Sequence, residues 1–595
     1  MVWAILYSLI PLGLLAALVA AVVLAVTAWR RRPELDEGIV GQQREALAKR
    51  LYFYAAAFAS LTAAAVGLSL VLAYVLDTLF GPVLVGDRRG TLALGLVLLL
   101  VWGPSWLWHW GRAQAFLGDD PTEASSLLRQ GYLLLALVAA VGVTGFGMAD
   151  GLRQAFGAQD FRGLSLGLLA SWGGVWAYHL WLARWAPAAR PAEAGHGFYL
   201  HLVSLGGLAV AGVGAGLLLS LVLQQAYDEL FGPLGVALRR PGLWQRSRDY
   251  LALLLTGALL LASHWPYARV AFRGWWLRHL YLYLFALLGG AVTCLVGGVL
   301  ALDGALAWAL DAVETSAREH FRYLTGVIPT LLLGGGVWAY HWLEVREEQS
   351  GLQALAAARR TYGYLMAMLG LGALAAALIV LAALAVNAGV EAADRRALDP
   401  TWWRGRLALG LVGAPAWGLH WWQRQARAAE AEEQAAVARR LYVRGMAVAS
   451  LLAALGGLSH FLYLLLDALL EARATGEVFR QSQWSLGVAA AALAFGPYHW
   501  LVMREDGRRA VAAPPAPRPA KAVTVLVPQD GDAFVQGLEE HLGARVRVLR
   551  RADPGVGLPL ATPEALAEAA ARVAQAAGER VLVVADAEGV RVYSY

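Results

Sequence analysis

Up to about residue 503 the chain is a succession of apolar blocks of twenty or more residues, such as Ala55–Leu76 and Leu365–Val386. A block of that length matches the hydrocarbon core of a bilayer, about 30 Å thick, which a helix crosses in roughly 20 residues. Hydrocarbon offers no partner to a backbone N–H or C=O, so each block must satisfy its own groups as a helix. Composition agrees: 59% of the 595 residues are hydrophobic and 15% are charged, where soluble domains carry about 25%. The expected fold is an all-α polytopic membrane protein with about 13 transmembrane helices in tandem hairpin repeats, followed by a small C-terminal soluble α/β domain.

The first block, Val2 to Trp29, has no basic leader and ends in Arg30-Arg31-Arg32. Residues 1–32 are therefore expected to form an uncleaved anchor with its basic end in the cytoplasm. The net charge of +6 is almost all arginine, since Lys49 and Lys521 are the only lysines. No clustered basic face with interleaved aromatics is present, so no nucleic-acid partner is expected. The lone Cys294 gives no disulfide framework within one chain. The 24 tryptophans gather at block ends, where aromatic belts sit at membrane–water interfaces.

Two markers repeat six times. Each second helix of a hairpin ends in an aromatic-flanked histidine: WLWHW (His109), WAYHL (His179), LASHW (His264), WAYHW (His341), WGLHW (His420) and GPYHW (His499). Each preceding block opens on a tyrosine: Tyr52, Tyr132, Tyr199, Tyr281, Tyr362 and Tyr442. Most of these tyrosines follow an arginine by two or three residues. Hairpins one and three share DTLFGP and DELFGP, and hairpins two and four share VWAYH. A four-helix unit used three times accounts for both matches. Its copies are residues 50–184, 197–346 and 358–504, the third being the most diverged because it keeps neither match. Each unit has an even number of spans, so all insert in one orientation, related by an axis along the membrane normal. With the anchor as reference, the tyrosine and histidine ends face the cytoplasm, the N-terminus lies outside and the C-terminus inside.

This pattern resembles a bacterial and archaeal family of multi-pass membrane proteins of unknown function, DUF5671-like, whose members carry several such Tyr-started, His-Trp-ended helical units. The resemblance covers about 450 membrane residues and implies an architecture at the cell membrane, with no activity attached.

Residues 505–520 read as a Pro/Ala-rich linker. Residues 521–595 follow as a soluble cytoplasmic α/β domain of order β-α-β-α-β-β, with Thr562 as N-cap before Pro563 and a turn at Ala587–Gly589.

The histidine row suits headgroup depth, with a wet polar tip beside Trp and Tyr, a cap on helix carbonyls, or a bond to the tyrosine of the same hairpin. Haem or metal ligation is the competing use of such a row. The tyrosines read as interfacial anchors. Acids recur toward the other helix ends: Asp77, Asp228, Asp311 and Asp467, with Asn387 and Asp150 as looser counterparts and Asp303 the deepest. A carboxylate inside a span marks a pathway or ion site; at the boundary it is simply solvated. Small-residue runs such as GGGVWAY suit close helix packing, and Pro104, Pro329, Pro415 and Pro497 are candidate kinks. No nucleophile–base pair, phosphate loop or zinc spacing appears, so no catalytic residue, metal or cofactor is expected. The leading functional expectation is a non-enzymatic membrane scaffold or sensor, resident in the lipid bilayer, with a cytoplasmic protein partner for residues 521–595. A transporter or channel built from parallel repeats is the alternative, and a haem- or metal-dependent redox protein the third.

Overall fold

A computed structural model of the chain describes residues 37–594 apart from 82–87, 121–122, 125, 186–192, 232–241, 273–275, 311–314, 348–352, 395–402, 472–474, 513–520, 529, 552–556, 558–560, 577–579 and 588. The expected anchor at 1–32 and Asp311 lie outside the described residues.

The apolar blocks form long helices: α1 (Glu37–Phe80), α2 (Arg88–Asp119), α3 (Leu127–Ala155), α4 (Gly163–Trp185), α5 (Glu193–Phe231), α6 (Leu243–Ala271), α7 (Leu277–Ala309), α8 (Leu324–Glu347), α9 (Gln353–Asp394), α10 (Arg404–Gln425), α11 (Val437–Leu470) and α12 (Thr475–Ala512). Among the described residues, ten helices are long and apolar enough to cross a membrane, which makes this a multi-pass membrane protein. The expected thirteen exceeds that number by the anchor and by α4 and α10. These two helices carry the Trp, Tyr, His and Arg residues that lower mean hydropathy.

Consecutive helices pack as hairpins, α1 on α2 through to α9 on α10, and α11 meets α12 where Gly457 faces Ser485. Small residues set the spacing. A Cβ on Gly334 of α8 would stand 2.8 Å from the Cys294 nitrogen of α7, which explains the glycine run before VWAYH. The tyrosine markers lie inside their helices: α1 begins fifteen residues before Tyr52 and α3 five before Tyr132. In α7 the tyrosine sits in a π-helical stretch, Leu280–Leu287. The largest buried cluster lies at this end of the helices and draws on α3 and α5 to α9, with Tyr199, Leu200, Tyr281 and Leu282 at its centre.

The chain divides into two compact units at Trp500–Leu501. Helix α12 runs on to Ala512, through half of the expected linker. Glu505 holds it by pairing with Arg508 and Arg509 one turn ahead. Beyond it, β1 (Ala522–Val527), β2 (Arg547–Arg550), β3 (Arg580–Asp586) and β4 (Gly589–Ser594) form a sheet of order β2-β1-β3-β4. β1 is parallel to β2 and β3, and β4 is antiparallel to β3. Alternate residues Val525, Val527, Val581, Val583 and Ala585 bury one face against α13 (Asp532–Leu542) and α14 (Pro563–Gln575). Thr562 caps α14 by accepting from the Ala565 N–H, and Gly543 ends α13 at φ +62°.

Candidate functional site

The six histidines share one local geometry. Each ring Nδ1 lies 2.7–2.9 Å from the carbonyl four residues earlier on its own helix: Ser105, Val175, Leu260, Val337, Ala416 and Phe495. A carbonyl only accepts, so Nδ1 carries the proton and Nε2 of the neutral ring is the acceptor. The tyrosine of the same hairpin fills that role. The hydroxyls of Tyr52, Tyr132, Tyr199, Tyr281 and Tyr442 stand 3.2, 3.2, 2.8, 3.3 and 3.4 Å from Nε2 of His109, His179, His264, His341 and His499. The rings of Tyr362 and His420 meet edge-on, centroids 6.0 Å apart.

The expectation of a wet histidine tip is corrected at four of six positions. His179, His264, His341 and His499 are at most 2% exposed, and protein groups satisfy both ring nitrogens. His109 and His420 are half-buried. A metal would have to displace one of these bonds to ligate the row.

Tryptophans then join one hairpin to the next. The Trp three residues before a histidine donates from Nε1 to the tyrosine hydroxyl of the following hairpin: Trp106 to Tyr132, Trp176 to Tyr199, Trp338 to Tyr362 and Trp417 to Tyr442, at 2.7–3.3 Å. A second link has a longer period. The Trp directly after an odd-numbered histidine donates to the Tyr directly before the next one: Trp110 to Tyr178 at 2.8 Å, Trp265 to Tyr340 at 2.7 Å and Trp421 to Tyr498 at 2.6 Å. These bonds join hairpin one to two, three to four and five to six, the pairs that make up the expected four-helix units. Because they connect like ends, the hairpins run in parallel.

Each of those three tryptophans lies under a buried arginine: Arg129 over Trp110, Arg278 over Trp265 and Arg439 over Trp421, at 5.4, 5.5 and 5.9 Å. The arginines are 0%, 1% and 1% exposed, and a buried cation needs an acid or hydrogen-bond acceptors nearby. In the first unit Arg129 donates to Gln114, while Glu123 accepts from Tyr54 at 2.8 Å and pairs with Arg50 at 2.9 Å. In the third, Arg439 donates to Gln425 and Tyr364, while Glu433 accepts from Tyr364 and pairs with Arg424 at 3.6 Å. The glutamate, tyrosine, buried arginine and glutamine are the same positions in the repeat, whereas the arginine paired with the glutamate differs: Arg424 corresponds to Ala113, and Arg360, the counterpart of Arg50, pairs with Glu432. The middle unit puts His201, Phe272 and Arg269 where the others have the tyrosine, the glutamate and the glutamine. Its acid is Glu344, which reaches Arg269 at 2.9 Å and Arg278 at 3.5 Å. The expectation that the third unit is the most diverged is therefore corrected. First and third share this cluster, and the middle unit departs.

The recurrent acids sit at the other end. Asp77 lies twenty-five residues past Tyr52, about 37 Å along a helix, which exceeds the hydrocarbon thickness of about 30 Å. It accepts from the Gly163 N–H at the start of α4, at 2.6 Å. Asp228 pairs with Arg322 at 2.8 Å, and Asp303 with Arg404 at 3.2 Å, joining the second unit to the third. Asp150 takes Arg153 at 3.1 Å, and Arg153 also reaches Asp249 at 2.6 Å, joining the first unit to the second. Asp467 lies within the last turn of α11. The described acids are thus spread along the helix ends. Sequence pattern alone assigns no role to the arginines and glutamates of the lattice, although a signal is present. The arginine precedes its tyrosine by two residues in hairpins one and five (Arg50, Arg360), and by three in two, four and six (Arg129, Arg278, Arg439).

Fold and lattice together define a membrane protein of repeated four-helix units tied at one end. Residues 50–192 and 360–496 each match the family described as Domain of unknown function (DUF5671), so these two stretches of the chain are DUF5671-like. The two matched stretches coincide with the units that share the Glu–Tyr–Arg–Gln cluster. No curated protein and no solved structure matches the chain.

Proposed function

We propose that the chain is a non-enzymatic membrane scaffold. Its three four-helix units hold the C-terminal unit, residues 521–595, at the cytoplasmic face for a protein partner. The observation that carries this reading is the hairpin-to-hairpin lattice. The repeated His, Tyr and Trp side chains bond to one another from hairpin to hairpin, and this ties the ends of the helices into a platform. The last of those helices, α12, carries His499 and runs on to Ala512. The tyrosine and histidine ends are assigned to the cytoplasm from Arg30–Arg32.

Two measurements on the full chain test the proposal. Photo-crosslinkers placed at exposed positions of the C-terminal unit, such as Tyr593, should capture one protein reproducibly in cells. That protein should co-purify with the full chain and be lost from a chain ending at Ala512. Reconstituted liposomes should show no selective flux. Selective solute flux with no captured partner would replace the scaffold with a transporter.

A further inference from the structure

The middle unit contains a cavity of about 640 Å³ between α5, α7 and α8. On α5 it extends from Leu205 to Ser220, about 22 Å along the helix, within a bilayer core of about 30 Å. The other two units are closed at this place. Gly167, twelve residues before His179, packs on Ser69, where a Cβ would stand 2.5 Å from the carbonyl oxygen; Gly487, twelve before His499, packs on the Ile379 carbonyl in the same way. Ser69 and Ile379 each lie seventeen residues after the first tyrosine of their unit. The corresponding middle-unit residues are Pro329 and Gly216, and both line the cavity. The proline ring keeps the α8 backbone from approaching as the glycines do, so Gly216 meets a side chain of α8 and not its backbone: an added Cβ would stand 2.9 Å from Leu333 Cδ1, while at Gly212, one turn away, it would meet nothing within 4 Å.

The lining identifies the occupant. Apart from Ser220, Thr293 and Thr330 it is apolar. The threonine hydroxyls donate to carbonyls of their own helices, Gly289 at 2.8 Å and Gly326 at 2.9 Å. Such a wall offers nothing to a polar solute, and the medium around it is hydrocarbon. The ends differ in polarity. Beyond Val337, one turn on, stands the buried His341 of the lattice. Ser220, at the opposite end, is bonded to Gln224, and Gln224 faces the Arg246 guanidinium at 3.5 Å, a cation placed for a phosphate at the membrane boundary. We propose that this cavity holds an acyl chain of a bilayer phospholipid, with the phosphate beside Arg246.

The test places the full chain in nanodiscs of a phospholipid whose acyl chain carries a diazirine, irradiates, and maps the adducts. Adducts should be several-fold enriched on 205–220, 285–293 and 326–337 over the corresponding stretches 58–73 and 368–383 of the other units. Gly212→Leu, at a lining position where an added Cβ meets nothing within 4 Å, fills the space and should remove that excess and leave the rest. Equal labelling of the three units, or labelling unchanged by Gly212→Leu, overturns the proposal. Arg246 does not line the cavity, and Arg246→Gln serves should Gly212→Leu fail to fold. It should lower the phospholipid retained by the purified protein in native mass spectrometry, and undiminished retention overturns the assignment of the phosphate to Arg246.

Discussion

Trp421 donates its indole N–H to the Tyr498 hydroxyl at 2.6 Å while its ring lies under the buried guanidinium of Arg439. The bond joins the fifth hairpin to the sixth, and its counterparts Trp110–Tyr178 and Trp265–Tyr340 join the other two pairs. One residue type at one repeat position thus fixes which hairpins form a unit. Trp421→Phe keeps an aromatic face for Arg439 and removes the donor together with the pyrrole ring that carries it. A loss of about 1–3 kcal/mol is expected, from the lost bond and the gap left behind, read as a lower unfolding temperature in nanodiscs. Trp422, next in sequence and 71% exposed, is the comparison, and Trp422→Phe should change nothing.

Tyr132 and Tyr52 occupy the same repeat position in different surroundings. Tyr132 is 3% exposed and joins Trp106 to His179; Tyr52 is 57% exposed and meets His109. Tyr132→Phe leaves a buried indole N–H and a buried imidazole nitrogen unpartnered, at a cost of about 1–3 kcal/mol. Tyr52→Phe should stay within about 0.5 kcal/mol. Similar losses for both would show that the hydroxyl bond in the interior contributes nothing beyond its exposed counterpart.

The periodic features are legible in the amino-acid pattern. Length and hydropathy mark the helices, the order of the His and Tyr markers marks the hairpins, and the shared DTLFGP/DELFGP and VWAYH strings suggest their grouping. The C-terminal elements follow from strand and cap signals, down to Thr562 and the ends of α13. What the pattern conceals depends on distances across the repeat. Nothing local says that Arg129 lies over Trp110, or that Glu123 and Tyr54 meet from residues 69 apart. Shared strings also mislead: VWAYH is common to the first two units, yet the buried charge arrangement groups the first with the third. The middle unit carries its acid at Glu344 and not at the position of Phe272, a change that makes sense only once both are seen around Arg278.

That buried charge sets up a further test. Glu123 has a fully buried side chain, pairs with Arg50 and accepts from Tyr54. Glu123→Gln keeps the shape and leaves Arg129 and Arg50 near a neutral group. Breaking such a pair costs about 3–5 kcal/mol, so the variant should be among the least stable single changes in the chain. Adding Arg50→Gln should recover part of the loss, because it removes the cation left behind. Glu347→Gln, on a side chain 64% exposed that faces Arg269, should be close to neutral. A Glu123→Gln protein as stable as the parent would mean that the cluster carries no net electrostatic weight.

Glycine substitutions separate the closed units from the open one by sign. At Gly487 an added methyl runs into the Ile379 carbonyl of α9, a backbone atom that moves only if the helices separate. Overpacking of this kind costs about 1–3 kcal/mol, so Gly487→Ala should lower the unfolding temperature and weaken a disulfide engineered between α9 and α12. Gly212 lines the cavity of the middle unit, and a methyl added there meets nothing within 4 Å. The substitution only restrains the helix backbone, a gain of up to about 1 kcal/mol. Gly212→Ala should therefore unfold at the parent temperature or above it. If both changes destabilise alike, the middle unit is as tightly closed as its neighbours, and the contrast between Pro329 and the two glycines, Gly167 and Gly487, has no energetic consequence.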